Sequence, residues 1–262
     1  MGRRGLWVSF LSAYGLEAAL GGPPPGGSAS GDTAGGGDQS GGDQSGGDQS
    51  GGDQSGGDQS GGIQWLGLDL QHGDLDLVDV IPLLRVAERA GLAVFPRMAS
   101  HAADAIGRVV DAGVQGVIVP GVESADQAAA LVRAIRLPPA GGRSTGAART
   151  ALGVTDVGEA LLLPMVETAA GLHNAADIAA VDGVDGIFIG PYDLSMSLGC
   201  KPGEEPVMTA IASVVETVRS TGKIVGMFTG RPDLLALAPT LDLVAVDTDV
   251  SALRRGLADL FS

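Results

Sequence analysis

Two carboxylates stand at the ends of consecutive predicted strands in the second half of the chain. Glu167 ends the predicted strand Leu161–Glu167, and Asp193 follows the predicted strand Asp185–Ile189 across a break at Gly190-Pro191. Because neighbouring parallel strands end on the same rim, we expect both carboxylates within reach of one ion. Two hard oxygen ligands suit Mg²⁺ or Mn²⁺, which keeps waters and takes further ligands from a substrate. Either carboxylate taken alone is more typical of a helix cap or a loop than of a metal site.

Three further polar residues follow earlier predicted strands. Arg97 ends the strand Ala93–Arg97, where an inward guanidinium is costly unless it meets an anion, either a substrate or one of the rim carboxylates. Asp69 and His72 lie in LDLQHG, after the strand Gln64–Asp69. Imidazole titrates near neutral pH, and a carboxylate bonded to one ring nitrogen fixes which nitrogen takes the proton. We therefore expect His72 to be a general base oriented by Asp69, with a loop histidine as the alternative.

The elements that must position these residues alternate between strands and helices along the chain. The other predicted strands are Leu6–Phe10, Gly116–Pro120, Lys223–Phe228 and Asp242–Val246, and helices such as Ser12–Leu20, Ser124–Ile135, Gly171–Val181 and Val250–Phe261 separate them. Strands alternating with helices imply a parallel sheet with right-handed crossovers. Eight such units predict a TIM (β/α)8 barrel of the α/β class, formed by residues 1–262 as a single domain.

The N-terminal stretch allows two interpretations. Arg3 and Arg4 precede an apolar run with small residues behind it, as in a signal peptide. Without Leu6–Leu20, however, only seven βα units would remain. The strand count therefore favours a first strand and helix of the barrel.

A low-complexity insert interrupts the pattern at residues 23–62. It consists mainly of Gly, Pro, Ser, Asp and Gln and contains five tandem GGDQS copies from Gly36 to Ser60. Such a segment cannot offset its own ordering entropy, so we expect a disordered loop between helix 1 and strand 2. It is either a neutral repeat expansion, which we favour, or a spacer or docking segment.

Composition restricts the partners. The net charge of −15 leaves no basic stripe for nucleic acid, and no apolar run approaches the roughly 18 residues of a membrane span. A single cysteine, Cys200, excludes an internal disulfide and is typical of the reducing cytoplasm, where we expect the protein. These features predict a protein that acts on small molecules.

The motifs GPYDLS, MVET, LDLQHG, PRM and PPAGGR closely resemble those of the HpcH/HpaI aldolase family, the metal-dependent (class II) pyruvate aldolases. The resemblance covers about residues 6–20 and 63–262. It implies that Glu167 and Asp193 hold the metal, that Arg97 steadies the enolate oxygen of pyruvate, and that His72 with Asp69 provides the base. The substrate-binding residues implied are Arg97, Gly190, Pro191, Tyr192 and Asp193.

The reaction implied by the resemblance is reversible cleavage of a 4-hydroxy-2-oxo acid into pyruvate and an aldehyde. Family members form hexamers in which the last helix packs on a neighbouring subunit, so a homo-oligomer is expected. Two alternatives remain: an acyl-CoA lyase like the citrate lyase β chain, and a degenerate barrel without catalysis. The D-x-QH motif of residues 69–72 favours the aldolase over the acyl-CoA lyase.

Three departures from the family pattern bear on the site. Met165 stands where many relatives carry Gln, and Asp247 stands where Gly is common. The segment from Arg143 to Glu159 is shorter than usual, which puts the pocket for the second substrate in doubt. Through its PPAGGR motif, Arg143 is a weak candidate for the rim of the active site.

Overall fold

A computed structural model of the chain describes residues 2–21, 62–146 and 159–262. In it, parallel strands close into a barrel in the order of the sequence, which confirms the predicted TIM-barrel fold. The strands are β1 (Arg3–Val8), β2 (Trp65–Asp69), β3 (Ala93–Arg97), β4 (Gly116–Val119), β5 (Leu161–Val166), β6 (Gly186–Ile189), β7 (Ile224–Phe228) and β8 (Leu243–Thr248).

Helices follow the strands around the outside. They are α1 (Ala13–Ala19), α2 (Leu77–Arg89), α3 (Ala103–Asp111), α4 (Ala125–Ile135), α5 (Ala169–His173), α6 (Ala175–Ala180), α7 (Pro191–Ser197), α8 (Glu205–Ser220), α9 (Pro232–Leu235) and α10 (Asp249–Leu260), with a 3-10 turn at Ala238–Thr240. Ser124 caps α4, since its hydroxyl accepts the amide of Gln127. The single helix predicted over 171–181 is instead divided at Asn174, whose side-chain amide donates to the carbonyl of Glu123.

The N-terminal strand closes the barrel. Residues of β1 pair in parallel with β2 on one side and with β8 on the other. The strand runs from Arg3 to Val8 rather than from Leu6 to Phe10. It ends earlier because the amides of Ser9 and Phe10 donate to a side chain, Asp249, and not to a neighbouring strand. The stretch that imitates a signal peptide thus forms β1 and α1, as the strand count predicted.

Large and small side chains alternate inside the barrel. Trp65 and Trp7 are almost fully buried there, and each covers a glycine on the adjacent strand. A Cβ atom on Gly5 would lie 2.2 Å from the Trp65 ring, and one on Gly67 would lie 2.5 Å from the Trp7 ring. The rings therefore need these glycines, and together they fill the interior below the carboxyl ends of the strands.

The insert is attached between α1 and β2, as predicted. Its residues 23–61 lie outside the described part of the chain. Among the described residues, no helix is both long and apolar enough to span a membrane.

Candidate active site

A cavity of about 240 Å³ opens at the carboxyl ends of the strands. It gathers the side chains that were predicted to carry chemistry, which lie at or just after the carboxyl ends of four strands, β2, β3, β5 and β6. Its lining consists of Trp7, Ser9, Asp69, His72, Arg97, Met165, Glu167, Gly190, Pro191, Tyr192, Asp193, Phe228 and Thr248. The closed interior beneath these residues makes the cavity a shallow cup at the rim and not a channel.

Glu167 and Asp193 form the acidic side of the cup. Glu167 is 8% exposed, and its Oε1 accepts the amide of Gly121 at 2.7 Å. A Cβ atom on Gly190 would lie 2.8 Å from Oε2, so a glycine at position 190 leaves room for this carboxylate. Burial raises the pKa of Glu167, and the nearby charge of Asp193 raises it further against the opposing effect of the Gly121 amide. A cation between the two carboxylates would relieve both penalties.

The donor set fits a hard divalent cation. Asp193 lies in the first turn of α7 and is exposed to the cavity, so its oxygens are accessible. Over the described ranges, no group of three or more His, Cys, Asp or Glu side chains is placed to share an ion. Two carboxylates with open positions suit Mg²⁺ or Mn²⁺, whereas Zn²⁺ sites use at least three protein ligands.

Arg97 is held by Asp69 in a two-pronged ion pair. Its Nε donates to Oδ1 at 3.0 Å and its Nη2 donates to Oδ2 at 2.5 Å, with both side chains largely buried. Burial opposes the charged form of Asp69, but the hydrogen bonds and charge of Arg97 outweigh it and lower the pKa of Asp69. The guanidinium also stacks on Trp7, with Cζ 5.3 Å from the ring centroid. Arg97 is thus fixed from two sides while it still faces the cavity.

The role expected for Asp69 is corrected by this pairing. Its Oδ1 accepts the backbone amides of Gln71 and His72, each at 3.1 Å, and its remaining capacity is used by Arg97. The structure shows no hydrogen bond to the His72 ring from any residue that it describes. Asp69 therefore orients the guanidinium and shapes the turn that carries His72, but it does not orient the imidazole. Arg97 therefore pairs with Asp69, and the structure shows no ion pair between Arg97 and the carboxylates of Glu167 or Asp193.

The turn after β2 keeps one unused acceptor. Gln71 Oε1 is buried and is the one such side-chain atom of the described chain without a hydrogen-bond partner. His72 is exposed beside it and lines the cavity. The turn thus offers an imidazole to the cavity and leaves the Gln71 amide oxygen without a partner.

The departures at Met165 and Asp247 have different consequences. Met165 is buried in the lining, so it presents sulfur and methylene groups to the cavity in place of a polar amide. Asp247 is buried outside the lining, where it accepts from Arg255 and from the amide of Thr248. Its charge is matched by a cation, which limits its effect on the cavity.

Arg143 does not lie at the rim. Its Nε donates to the carbonyl of Ile135 at 2.9 Å, and its Nη1 pairs with Asp111. Ile135 and Asp111 are the last residues of α4 and α3, which end at the opposite mouth of the barrel. The expectation of a rim position for Arg143 is therefore wrong, because a segment that leads from a helix to a strand begins at the other face. Residues 147–158 of the shortened segment lie outside the described ranges.

An aromatic wall on the far side of the cavity is not predicted from the motifs. Phe228 lies between Trp7 and Tyr192, with ring centroids 6.0 Å and 5.9 Å away. The alternation along β7, in which Ile224, Gly226 and Phe228 point inward, is the signal that would have found it. These three rings give the same cavity an apolar surface beside its charged side chains.

The sequence of the chain is similar to those of known proteins. A sequence model of the family described as HpcH/HpaI aldolase/citrate lyase matches residues 59–236. A hydroxypyruvate/pyruvate aldolase of Pseudomonas aeruginosa is 39% identical over 210 residues, which are 75% of this chain and 78% of that protein. A 4-hydroxy-2-oxovalerate aldolase of Rhodococcus jostii is 38% identical over 204 residues, 72% of this chain and 78% of that protein.

A solved structure shows the same architecture. An HpcH/HpaI aldolase/citrate lyase family protein of Burkholderia cenocepacia superposes with a TM-score of 0.76 at 26% identity. The alignment covers 100% of this chain and 95% of that one. The similarity therefore extends over the whole barrel.

Proposed function

Because the chain belongs to the HpcH/HpaI aldolase/citrate lyase family, we propose that it reversibly cleaves a 4-hydroxy-2-oxo acid to pyruvate and an aldehyde with the help of Mg²⁺ or Mn²⁺. The aldolase names of its relatives support a lyase of the aldolase type. One observation carries the proposal: a pair of carboxylates and a fixed guanidinium share one small cavity. This set matches the anionic and keto groups of a 2-oxo acid.

The acidic side and Arg97 bind the 2-oxo acid. Glu167 and Asp193 would hold the cation, which when bound supplies a Lewis acid for the carboxylate and keto oxygens. Arg97 places a positive charge beside the oxygen that gains charge as the carbon-carbon bond breaks. Gly190 and Pro191 leave room at the base of the acidic side, and Tyr192 borders it. These residues therefore stabilise the three-carbon fragment that becomes pyruvate.

His72 handles the proton. Its exposed imidazole lines the cavity on the turn after β2, where it accepts the proton of the C4 hydroxyl to start cleavage. Asp69 supports the same step indirectly, since it binds the amides of this turn and holds the Arg97 guanidinium in place. His72 thus transfers the proton, and Asp69 positions the groups around it.

A screen for pyruvate release tests the proposed reaction. We expect 4-hydroxy-2-oxo acids to release pyruvate in the presence of Mg²⁺ or Mn²⁺, EDTA to stop the release, and added metal to restore it. Coupled lactate dehydrogenase measures the product continuously. Release that continues unchanged in EDTA would contradict the metal, and no release from any member of the series would contradict the reaction.

We also propose that copies of the chain associate through α10. Within α10, which the structure describes in full, only Asp249 is buried. Leu253 and Leu257 are 52% and 47% exposed, and Leu260 and Phe261 beyond them are 76% and 88% exposed. An apolar stripe of this kind on a terminal helix is typical of an interface, and the family resemblance implies that a second copy covers it.

Replacing the stripe should disrupt the assembly. We expect the Leu253→Asp, Leu257→Asp double variant to have a lower mass by light scattering after gel filtration than the parent. Val78→Asp is the matched control, because Val78 is 73% exposed on α2, away from the stripe. A parent that is already monomeric at micromolar concentration would refute the association.

A further inference from the structure

Asp249 is a buried carboxylate that no part of the proposed reaction uses. It is 3% exposed and begins α10 directly after Thr248, a residue of the cavity lining. Its Oδ2 accepts three consecutive backbone amides, those of Ser9, Phe10 and Leu11, at 2.9, 3.0 and 3.0 Å. Its Oδ1 accepts the amide of Val250 at 2.9 Å, within its own helix. One side chain thus binds three of the four amides of the β1–α1 loop, residues 9–12.

The hydrogen bonds to the Asp249 carboxylate are stronger than the hydrogen bonds of an ordinary backbone turn. Three amides that converge on one oxygen form a concave anion-binding arrangement, and hydrogen bonds to an ionised acceptor are about twice as strong as neutral ones. The amino end of α10 adds a favourable dipole for the carboxylate. Loss of this oxygen would leave three amides without a partner at the rim of the cavity, so the loop conformation depends on Asp249.

The β1–α1 loop touches the turn that carries His72. The carbonyl of Ser9 accepts the amide of Asp74 at 2.8 Å. Gly73 packs so closely that a Cβ atom on it would lie 2.3 Å from the same carbonyl. Ser9 itself lines the cavity, two residues after the Trp7 ring on which Arg97 stacks. A shift of the loop would therefore reach His72 through direct backbone contacts.

We infer that Asp249 is a positioning residue that sets the place of the His72 turn through the β1–α1 loop. Its effect on catalysis rests on the proposed aldol reaction, whereas its effect on the loop does not. Because Asp249 is also the first residue of α10, any displacement of that helix acts on the same loop. The β1–α1 loop, which lines the cavity at Ser9, is thus directly connected to α10, the helix that carries the exposed apolar stripe.

Hydrogen exchange tests the link without any assay of activity. In Asp249→Ala, we expect the amides of residues 9–11 to exchange at least about tenfold faster than in the parent protein. Asp249→Asn keeps an oxygen acceptor and should give a smaller increase. Asp242→Ala is the control at the opposite end of β8, because its Oδ2 accepts one amide, that of Val225. Unchanged exchange at residues 9–11 in Asp249→Ala would overturn the inference.

A comparison of two reactions tests the catalytic consequence. We expect Asp249→Asn to lower kcat for aldol cleavage by about tenfold. The exchange of pyruvate methyl protons, which needs only the enolate side of the cavity, should change less than about twofold. Equal losses in both reactions, or no loss of cleavage despite faster exchange of the loop amides, would refute positioning of the His72 turn. If the parent protein cleaves no hydroxy-oxo acid, the proposed function is wrong. Hydrogen exchange then still tests whether Asp249 holds the β1–α1 loop. Asp249→Asn provides the answer if Asp249→Ala does not fold.

Discussion

Glu167→Gln and Asp193→Asn should each reduce metal-dependent pyruvate release by roughly 10³-fold or more, because a metal site of two carboxylates has no protein ligand in reserve. Each substitution keeps the shape of the side chain and removes one negative charge. Burial, and to a lesser extent the charge of Asp193, raise the pKa of Glu167, so Glu167→Gln removes an unfavourable buried charge and should fold at least as well as the parent. Titration calorimetry with Mn²⁺ should show lost binding in both variants.

Asp247→Asn is the matched control for these variants. Asp247 is a buried rim carboxylate like Glu167, but it pairs with Arg255 and lies outside the cavity lining. Its replacement should leave Mn²⁺ affinity within about twofold of the parent value. Full turnover of Glu167→Gln in EDTA would contradict the metal site, and loss of Mn²⁺ binding in Asp247→Asn would mean that the site lies elsewhere on the rim.

Arg97→Ala should depress every reaction that forms the enolate, by about 10² or more, if Arg97 stabilises charge on the reacting oxygen. The reactions to measure are aldol cleavage, oxaloacetate decarboxylation and exchange of pyruvate methyl protons. The variant should also be less stable to urea by roughly 3 kcal/mol, since it leaves the buried carboxylate of Asp69 without its partner. Adding Asp69→Asn to Arg97→Ala should recover part of that stability without recovering activity.

His72→Ala separates proton transfer from charge stabilisation. It should cripple aldol cleavage while sparing decarboxylation and proton exchange, because those two reactions need no base for a C4 hydroxyl. Asp69→Asn should follow the pattern of Arg97→Ala in a milder form, since its carboxylate holds the guanidinium rather than the ring. If Asp69→Asn lost only aldol cleavage, Asp69 would instead act by orienting His72. If His72→Ala cleaved at the rate of the parent protein, His72 would be excluded as the base.

The residues at the strand ends could be predicted from the sequence, because the end of each apolar run and the topology of the barrel place them at the same rim. Apolar runs that stop at Asp69, Arg97 and Glu167 place these residues on one rim once the strands are known to be parallel. Glycine breaks and side-chain caps marked most helix ends for the same reason. What is local in sequence, or periodic along it, could therefore be predicted.

Partner choice among the gathered side chains could not be predicted. Asp69 had two basic candidates, Arg97 and His72, and the guanidinium prevails because its fork matches both carboxylate oxygens. The carboxylate that accepts the Ser9 amide belongs to Asp249, 240 residues further along the chain. No sequence pattern connects two residues so distant. Contacts of this kind exist only after the barrel has closed, so they leave no local pattern in the sequence.

The position of β1 between β2 and β8 has a consequence for biosynthesis. The amide of Ser9 is synthesised 240 residues before its acceptor, Asp249. At about 5–20 residues per second, one edge of the first strand and the loop behind it therefore wait roughly 12–48 s for that acceptor. A nascent chain that stops before β8 can pair β1 with β2, but it has no acceptor for this loop. The loop beside the histidine side of the cavity therefore gains its acceptor only after Asp249 is synthesised, whereas Arg97 and Glu167 are synthesised earlier.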